Sequence, residues 1–396
     1  MTPPESTAYK ERVFSLEKDE RPEKDTITKS FMSHRILLVG GGSGGHVYPL
    51  MAVAEALQKK VQDNDIEIIL LGEGRFFDEA VKGSGFRYKK IVAGKLRRYL
   101  SLESFLDPFK MILGFFQSFG YLFWLMPDTV FAKGGYATFF PALAAKLFFI
   151  PIYVHESDSV PGMTNRFIGR LARKVFVSFE SAKKYFSPER VELVGNPIRT
   201  SLLNGSKEEA LSFFNLSSSL PTVIILGGSQ GAKKINEAVL SSIFQLTNDF
   251  QVIHQCGDFN FKEVGKAVEE IKSEQVKNRY RLHPFFSDKE LSLAYALGDI
   301  FVSRAGANSI FEVSALGKPL VAIPIKSSAS NHQHLNAVEL LKYGGVLIEE
   351  DNLITSVLVN EIKEAYQKRE ELGQKIKSFA KLDAADKIAA VLTQNL

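Results

Sequence analysis

From Arg35 onward the chain alternates short, unbroken apolar runs with longer stretches in which apolar residues recur at helical spacing. Ile36-Leu37-Leu38-Val39 is the first run; it ends in Gly40-Gly41-Gly42-Ser43-Gly44-Gly45, and Val47–Leu57 then carries a helical period. An apolar strand without polar alternation, followed by a helix, predicts a parallel sheet covered on both faces. Ile66–Leu71, Thr129–Ala132 and Ile152–His155 are further expected strands, each running into glycine or polar residues. In open sheets of this kind, sites form at the carboxyl ends of the strands.

The same unit recurs in the second half. Thr222-Val223-Ile224-Ile225-Leu226 leads into Gly227-Gly228-Ser229-Gln230-Gly231 and a helix from Ala232, with later strands expected at Gln251–Gln255, Ile300–Ser303 and Leu320–Ile323. An internal repeat of strand, glycine loop and helix predicts an α/β protein of two Rossmann-like domains. Gly195-Asn196-Pro197 falls between the two alternations, so the expected domains are 33–196 and 197–396, with Asn352–Leu396 helical. Residues 1–32, polar and without an apolar core, are expected to be a disordered extension rather than a secretion signal, and Met32 is a second candidate start of translation.

Composition narrows the class. With 45% hydrophobic and 24% charged residues, the 396-residue chain has the make-up of a folded protein of about two domains. A net charge of +4 falls short of the basic stripe of a nucleic-acid binder, so no nucleic-acid partner is expected. The lone Cys256 excludes an internal disulfide and any multi-cysteine metal site, and cytosol is the default compartment. Leu113–Met126 and Ala137–Val154 are interrupted by polar residues or prolines and are not expected to span a membrane.

The glycine loops supply the first chemistry. Without Cβ atoms, their N–H groups and the helix starts behind them can approach an anionic oxygen closely. Gly40-x-Gly42-x-x-Gly45 also fits a dinucleotide fingerprint, with Glu73 as ribose ligand, which is the pattern of a nicotinamide-dependent oxidoreductase. That reading leaves the second loop unused; loops in both halves favour ligand held in a cleft between domains. His46 would sit at the mouth of that cleft, either as a base accepting a proton from a hydroxyl or as a cap on the helix start. Position alone leaves both open. In Ser303–Glu312 a small-residue turn opens a helix whose N–H groups can hold a diphosphate, while Glu312 can take a ribose diol or merely complement the helix dipole. Asn331-His332-Gln333-His334 has no cysteine or carboxylate at ligand spacing and is expected to be a polar sugar-binding loop, not a metal site.

Six segments in order, Gly42–Pro49, Gly134-Gly135-Tyr136, His155-Glu156-Ser157, Gly195–Arg199, Gly227–Ala232 and Arg304–Glu312, resemble the MurG family of bacterial glycosyltransferases. The resemblance covers nearly everything after Met32. It implies a GT-B fold, two Rossmann-like domains with parallel sheets facing an interdomain cleft and a last helix returning to the first domain. It also implies inverting transfer of N-acetylglucosamine from UDP-N-acetylglucosamine to undecaprenyl-diphospho-N-acetylmuramoyl-pentapeptide (lipid I), giving lipid II, at the cytoplasmic face of the membrane and without a cofactor or metal. Carried over by position, Ser43, Gly44 and Gly45 would lie near the sugar and diphosphate, and Arg199 and Ser229 would touch the diphosphate and nucleotide. Phe286 would read the uracil through its backbone, and Ala307, Asn308, Ser309, Ile310 and Phe311 would line the diphosphate. Glu312 would bind the ribose, Gln333 the sugar hydroxyls, and His46 would be the base. The family usually has His-Glu-Gln-Asn where this chain has His155-Glu156-Ser157-Asp158. An amide that donates and accepts is thus replaced at Asp158 by a carboxylate that only accepts when ionised.

A third class, a non-catalytic peripheral membrane protein, rests on the aromatic stretch near Phe115–Trp124 and leaves the two loaded loops unexplained. Phe105, Phe109 and Phe116 share one helical face with Ile112, which by spacing reads as the core face of a domain helix. Beside Lys89, Lys90, Lys95, Arg97 and Arg98, the region Leu96–Phe119 as a whole is nonetheless expected to dock on an anionic membrane surface.

Overall fold

The computed structural model of the chain describes residues 34–60, 66–94, 102–228, 231–328 and 331–394, with backbone alone for 102–106. The expected extension at 1–32, Ser229 and the basic residues Lys95, Arg97 and Arg98 lie outside the described residues.

The first unit runs β1 (His34–Val39), α1 (Gly44–Lys60), β2 (Ile66–Gly72), α2 (Arg75–Val81), β3 (Arg87–Lys90), α3 (Leu102–Leu125), β4 (Thr129–Ala132), α4 (Phe139–Leu147), β5 (Ile152–Glu156), α5 (Met163–Leu171), β6 (Lys174–Val177) and β7 (Val191–Leu193). The second runs α6 (Lys207–Phe214), β8 (Thr222–Leu226), α7 (Lys233–Asp249), β9 (Gln251–Gln255), α8 (Phe261–Glu269), α9 (Glu274–Arg279), β10 (Tyr280–His283), α10 (Asp288–Leu297), β11 (Ile300–Ser303), α11 (Ala307–Leu316), β12 (Leu320–Ala322), α12 (His332–Leu341) and β13 (Val346–Leu347). Three helices close the chain: α13 (Thr355–Gln367), α14 (Arg369–Lys377) and α15 (Ala384–Thr393).

Each unit builds a parallel sheet, in the orders β3-β2-β1-β4-β5-β6-β7 and β10-β9-β8-β11-β12-β13. Both faces are covered, which is why the strands read as unbroken apolar runs: Ile36 and Leu38 enter one core of the first sheet, Leu37 and Val39 the other. Ile224 and Val223 divide the second sheet's cores likewise. The strand order reverses at β1 and at β8, so both glycine loops leave the sheets at topological switch points, where a crevice opens.

The pattern passes over β6 inside the first sheet and over β3, β7, β10 and β13, which are edge strands, β13 with two residues. All four residues of β3 are exposed, so it has no apolar signature. Helix α1 begins at Gly44, ahead of the apolar period, because the Ser43 carbonyl already accepts from Val47 N at 3.2 Å. In α15, Ala385, Ile388, Ala389 and Leu392 pack into the same core as Val47, Leu50, Val53 and Leu57 of α1, so the chain ends against the first sheet's helices.

The face of α3 expected to be core is instead outward. Phe109 is 72% and Phe116 65% exposed, with Ile112 exposed between them, while Ser118, Leu122 and Leu125 turn inward. The apolar period is real on both sides of this helix, and aromatic spacing alone could not choose between them. Among the described residues no helix is long and apolar enough to cross a membrane.

Candidate active site between the two sheets

At the carboxyl end of β1 the loop is held by its neighbours' backbones. Gly42 N donates to Glu73 O at 3.2 Å, and a Cβ on Gly41 would lie 2.8 Å from that same carbonyl oxygen. Gly135, at φ +83°, approaches from β4; a Cβ there would meet Gly41 O at 2.7 Å and His46 Cδ2 at 3.1 Å. Only glycine fits both positions, and the result is that His46 is clamped between the loops. Its Nδ1 is sealed from solvent without a hydrogen-bond partner. Burial, and next the Lys133 ammonium, push its pKa down to about 4, so the imidazole is neutral at physiological pH.

Across the cleft, α11 opens with Ala307, Asn308 and Ser309, whose N–H groups precede the first intrahelical bond, made by Ile310 N to Gly306 O at 3.1 Å. Glu312, one turn in, is buried; its carboxylate accepts from Tyr295 Oη at 2.6 Å. Burial raises its pKa, opposed by Arg199 and the Tyr295 hydrogen bond. Arg199 is buried too, paired to Asp288 at 2.5 Å and stacked 4.0 Å from the centroid of the Tyr48 ring. Its Nε has no hydrogen-bond partner.

These groups line one cavity of about 460 Å³. The structure brings together Ser43, Gly44, Gly45, His46, Asp158, Arg199, Ala307, Asn308, Ser309, Glu312 and Gln333 of the expected site residues. Three others are placed elsewhere. The Ile310 and Phe311 side chains are wholly within the second core, and with Ile310 N–H already spent neither offers a group to a diphosphate. Phe286 is buried against Phe214 and His283; its neighbour Phe285 reaches the cavity. The cavity also takes Tyr48, Tyr295 and Arg304, which the sequence reading did not single out as site residues. Arg304 stands in the Arg304–Glu312 motif, and Tyr48 follows the first glycine loop. Tyr295 carries no local signal, since it reaches the site from α10 across the second core.

The two units are hydrogen-bonded across the cleft. Asn308 Nδ2 donates to Gly44 O at 3.3 Å, Asn196 Nδ2 to Asn308 Oδ1 at 2.9 Å, and Asn336 Nδ2 to Asp158 Oδ1 at 2.9 Å. The carboxylate at Asp158 therefore already has a donor. Gln333 Oε1 accepts from Ile325 N at 3.0 Å, so its nitrogen is the end that can donate to a hydroxyl. Glu73, the ribose ligand of the oxidoreductase reading, instead accepts from Ala93 N at 2.7 Å and is tied to its own domain.

Comparison with known proteins gives a consistent neighbourhood. The Glycosyltransferase family 28 N-terminal domain matches residues 36–177 and the Glycosyltransferase family 28 C-terminal domain residues 222–391. A protein of Legionella pneumophila (strain Paris), named UDP-N-acetylglucosamine--N-acetylmuramyl-(pentapeptide) pyrophosphoryl-undecaprenol N-acetylglucosamine transferase, is 35% identical over 92% of this chain and 97% of its own. A Bacillus cereus (strain ATCC 10987) relative named as the second such transferase is 37% identical over 87% of this chain and 95% of its own. Among solved structures, Acinetobacter baumannii MurG superposes with a TM-score of 0.68 at 24% identity, covering 91% of this chain and 99% of its own. A Neisseria meningitidis UDP-GlcNAc 2-epimerase reaches 0.64 at 17% identity, over 91% and 100%, so the fold by itself does not choose the reaction.

The buried imidazoles make stability depend on pH. His46, at about 4, and His254, pushed by burial to about 3, stay unprotonated in the fold at pH values where an unfolded histidine, near 6.5, takes up a proton. The unfolded state then binds more protons, so stability falls as pH drops below about 6.5, by about 2 kcal/mol per group at pH 5. Urea midpoints should therefore fall from pH 7 to pH 5, and His46→Gln should flatten that dependence while changing the pH 8 midpoint little. A parallel pH profile for the variant contradicts the neutral, buried imidazole.

Proposed function

The chain belongs to glycosyltransferase family 28, and we propose that it transfers N-acetylglucosamine from UDP-N-acetylglucosamine to undecaprenyl-diphospho-N-acetylmuramoyl-pentapeptide in peptidoglycan synthesis. The observation that carries the reading is the pairing, across one cavity, of a glycine loop bearing a neutral His46 with a helix start bearing Glu312. Each half alone is a common turn. Together they provide a proton acceptor on one wall and a nucleoside-diphosphate cradle on the other.

In this reading the N–H groups of Ala307, Asn308 and Ser309 and the Arg199 guanidinium take the donor diphosphate, and Glu312 takes the ribose diol. The acceptor hydroxyl oxygen forms the new bond to the anomeric carbon, the bond from that carbon to the diphosphate oxygen breaks, and the hydroxyl proton passes to His46. Charge built on departing UDP meets donors already oriented for it. An imidazole with a pKa of about 4 is by itself a weak base, but the incoming diphosphate raises its proton affinity by Coulomb attraction. Approach from the face opposite the leaving group inverts the anomeric centre.

The acceptor's lipid tail requires the enzyme to reach a bilayer, and α3 has a surface suited to it. Phe109, Ile112, Phe116, Phe123 and Trp124 are exposed, and Pro108, Met111, Ile112, Phe115, Phe116 and Phe140 line an apolar hollow of about 430 Å³. Exposed Lys89 on β3 and the basic run before α3 supply the attraction to an anionic leaflet. We place the protein peripherally on the cytoplasmic face of the membrane.

Incubation with UDP-N-acetylglucosamine and a lipid I analogue should release UDP, and absence of release overturns the reading. Glu312→Ala should weaken UDP binding about ten-fold or more, since a charged acceptor worth roughly 1.5–3 kcal/mol is lost; calorimetric affinity within two-fold of wild type removes the ribose role. His46→Ala should lower kcat by roughly 10²–10⁴ with UDP affinity nearly intact. Phe109→Ser/Phe116→Ser should reduce co-sedimentation with anionic vesicles without changing UDP affinity, and unchanged sedimentation rejects α3 as the docking surface.

A further inference from the structure

Lys133, at the carboxyl end of β4 and immediately before Gly134-Gly135, is fully buried. Its ammonium donates to Ser157 Oγ, which donates on to Asn196 Oδ1 at 2.9 Å. Asn196 Nδ2 donates to Asn308 Oδ1 at 2.9 Å, and Asn308 Nδ2 to Gly44 O at 3.3 Å. The chain therefore starts in the first unit, crosses to the start of α11 and returns to the loop that carries His46. We propose that Lys133 is a positioning residue for the transfer reaction, its donor-only ammonium orienting this hydrogen-bonded chain and so fixing the spacing between the His46 loop and the N-terminus of α11. The inference rests on the glycosyltransferase reading and gives Lys133 a role beyond its lowering of the His46 pKa.

The direction of the chain is the core of the argument. A hydroxyl can reverse and an asparagine amide can flip, so Ser157, Asn196 and Asn308 have no intrinsic polarity. An ammonium has three donors and no acceptor. With Lys133 at the head, Ser157 must donate onward, Asn196 must receive on Oδ1 and donate through Nδ2, and Asn308 must do the same toward the Gly44 carbonyl. Without that head, Asn308 is free to present its oxygen to the Gly44 oxygen, a repulsive contact at the diphosphate end of the cleft. Burying an ammonium is costly, and an apolar side chain of similar length would serve packing better.

The groups around the ammonium are His155 and Glu156 on β5, Asp158 beyond it and His46 on α1. Glu156 is engaged by Asp158 N at 2.9 Å and by Asn165 Nδ2 at 2.9 Å. Burial, partly offset by Glu156 and Asp158, brings Lys133 down to about 8, so the head of the chain becomes neutral on the alkaline side of that pH.

The test compares kcat and KM of the full chain with Lys133→Met, Ser157→Ala and the double variant, using UDP-N-acetylglucosamine and a lipid I analogue. Lys133→Met is expected to lower kcat about ten-fold with the donor KM within about three-fold, and the double variant to be no worse than Lys133→Met, because the chain is already cut. Wild-type kcat should fall above about pH 8, and Lys133→Met should lack that limb. A kcat within two-fold of wild type, additive losses, or a retained alkaline limb overturns the proposal; if Lys133→Met does not fold, Ser157→Ala carries the comparison. A wild-type protein that releases no UDP overturns the function instead. The Lys133 proposal is then decided by the side-chain amide NMR signals of Asn196 and Asn308, which should shift in Lys133→Met and whose constancy refutes it.

Discussion

Arg199 is the group on which the rest of the site leans. It lies in the segment joining the two sheets, its guanidinium is buried, and it touches both walls: Tyr48 of the first unit by stacking and Asp288 of the second by an ion pair. Burial works against its charge, but Glu312 and Asp288 outweigh that and hold it protonated. A buried charge is tolerated only where partners surround it, so the partners must stay where the guanidinium needs them. This requirement ties the first turn of α10, Tyr48 as the fifth residue of α1 and the Glu312 carboxylate to one point.

The same group acts on Glu312, whose burial favours the neutral acid and raises its pKa, whereas Arg199 and the Tyr295 hydroxyl favour the carboxylate. The second unit thus sets one cation against two carboxylates, Glu312 and Asp288. In the first unit burial, and next the Lys133 charge, depress the His46 pKa. A buried cation lowers the pKa of either neighbour, which favours the ionised form of a carboxyl and the neutral form of an imidazole.

Much of the fold was legible. The runs at Ile36–Val39, Thr222–Leu226 and Ile300–Ser303 became strands because both faces of a parallel sheet are covered and every position must be apolar. Edge strand β3 was not, since an uncovered edge imposes no such rule on Arg87–Lys90. The outward turn of Phe109 and Phe116 was misjudged by spacing for a related reason: α3 carries apolar residues all round, and helical period identifies a face without saying which side of the protein it meets.

The site divides along the same line. The glycine loops, His46, Arg199 and the Arg304–Glu312 turn could be read from sequence because a backbone that must approach an anion restricts residue type locally, and six such restrictions in order identify a family. What sequence could not decide was which side chains meet across the cleft. Tyr295 beneath Glu312, Asn336 on Asp158, and the chain from Lys133 to Gly44 depend on contacts between residues far apart in sequence. Their partners, and the solvent exclusion that shifts their protonation, arise only when the two units close on one cleft. Local order follows from backbone geometry that each short segment carries in itself, whereas burial and hydrogen-bond direction are properties of the assembled cleft.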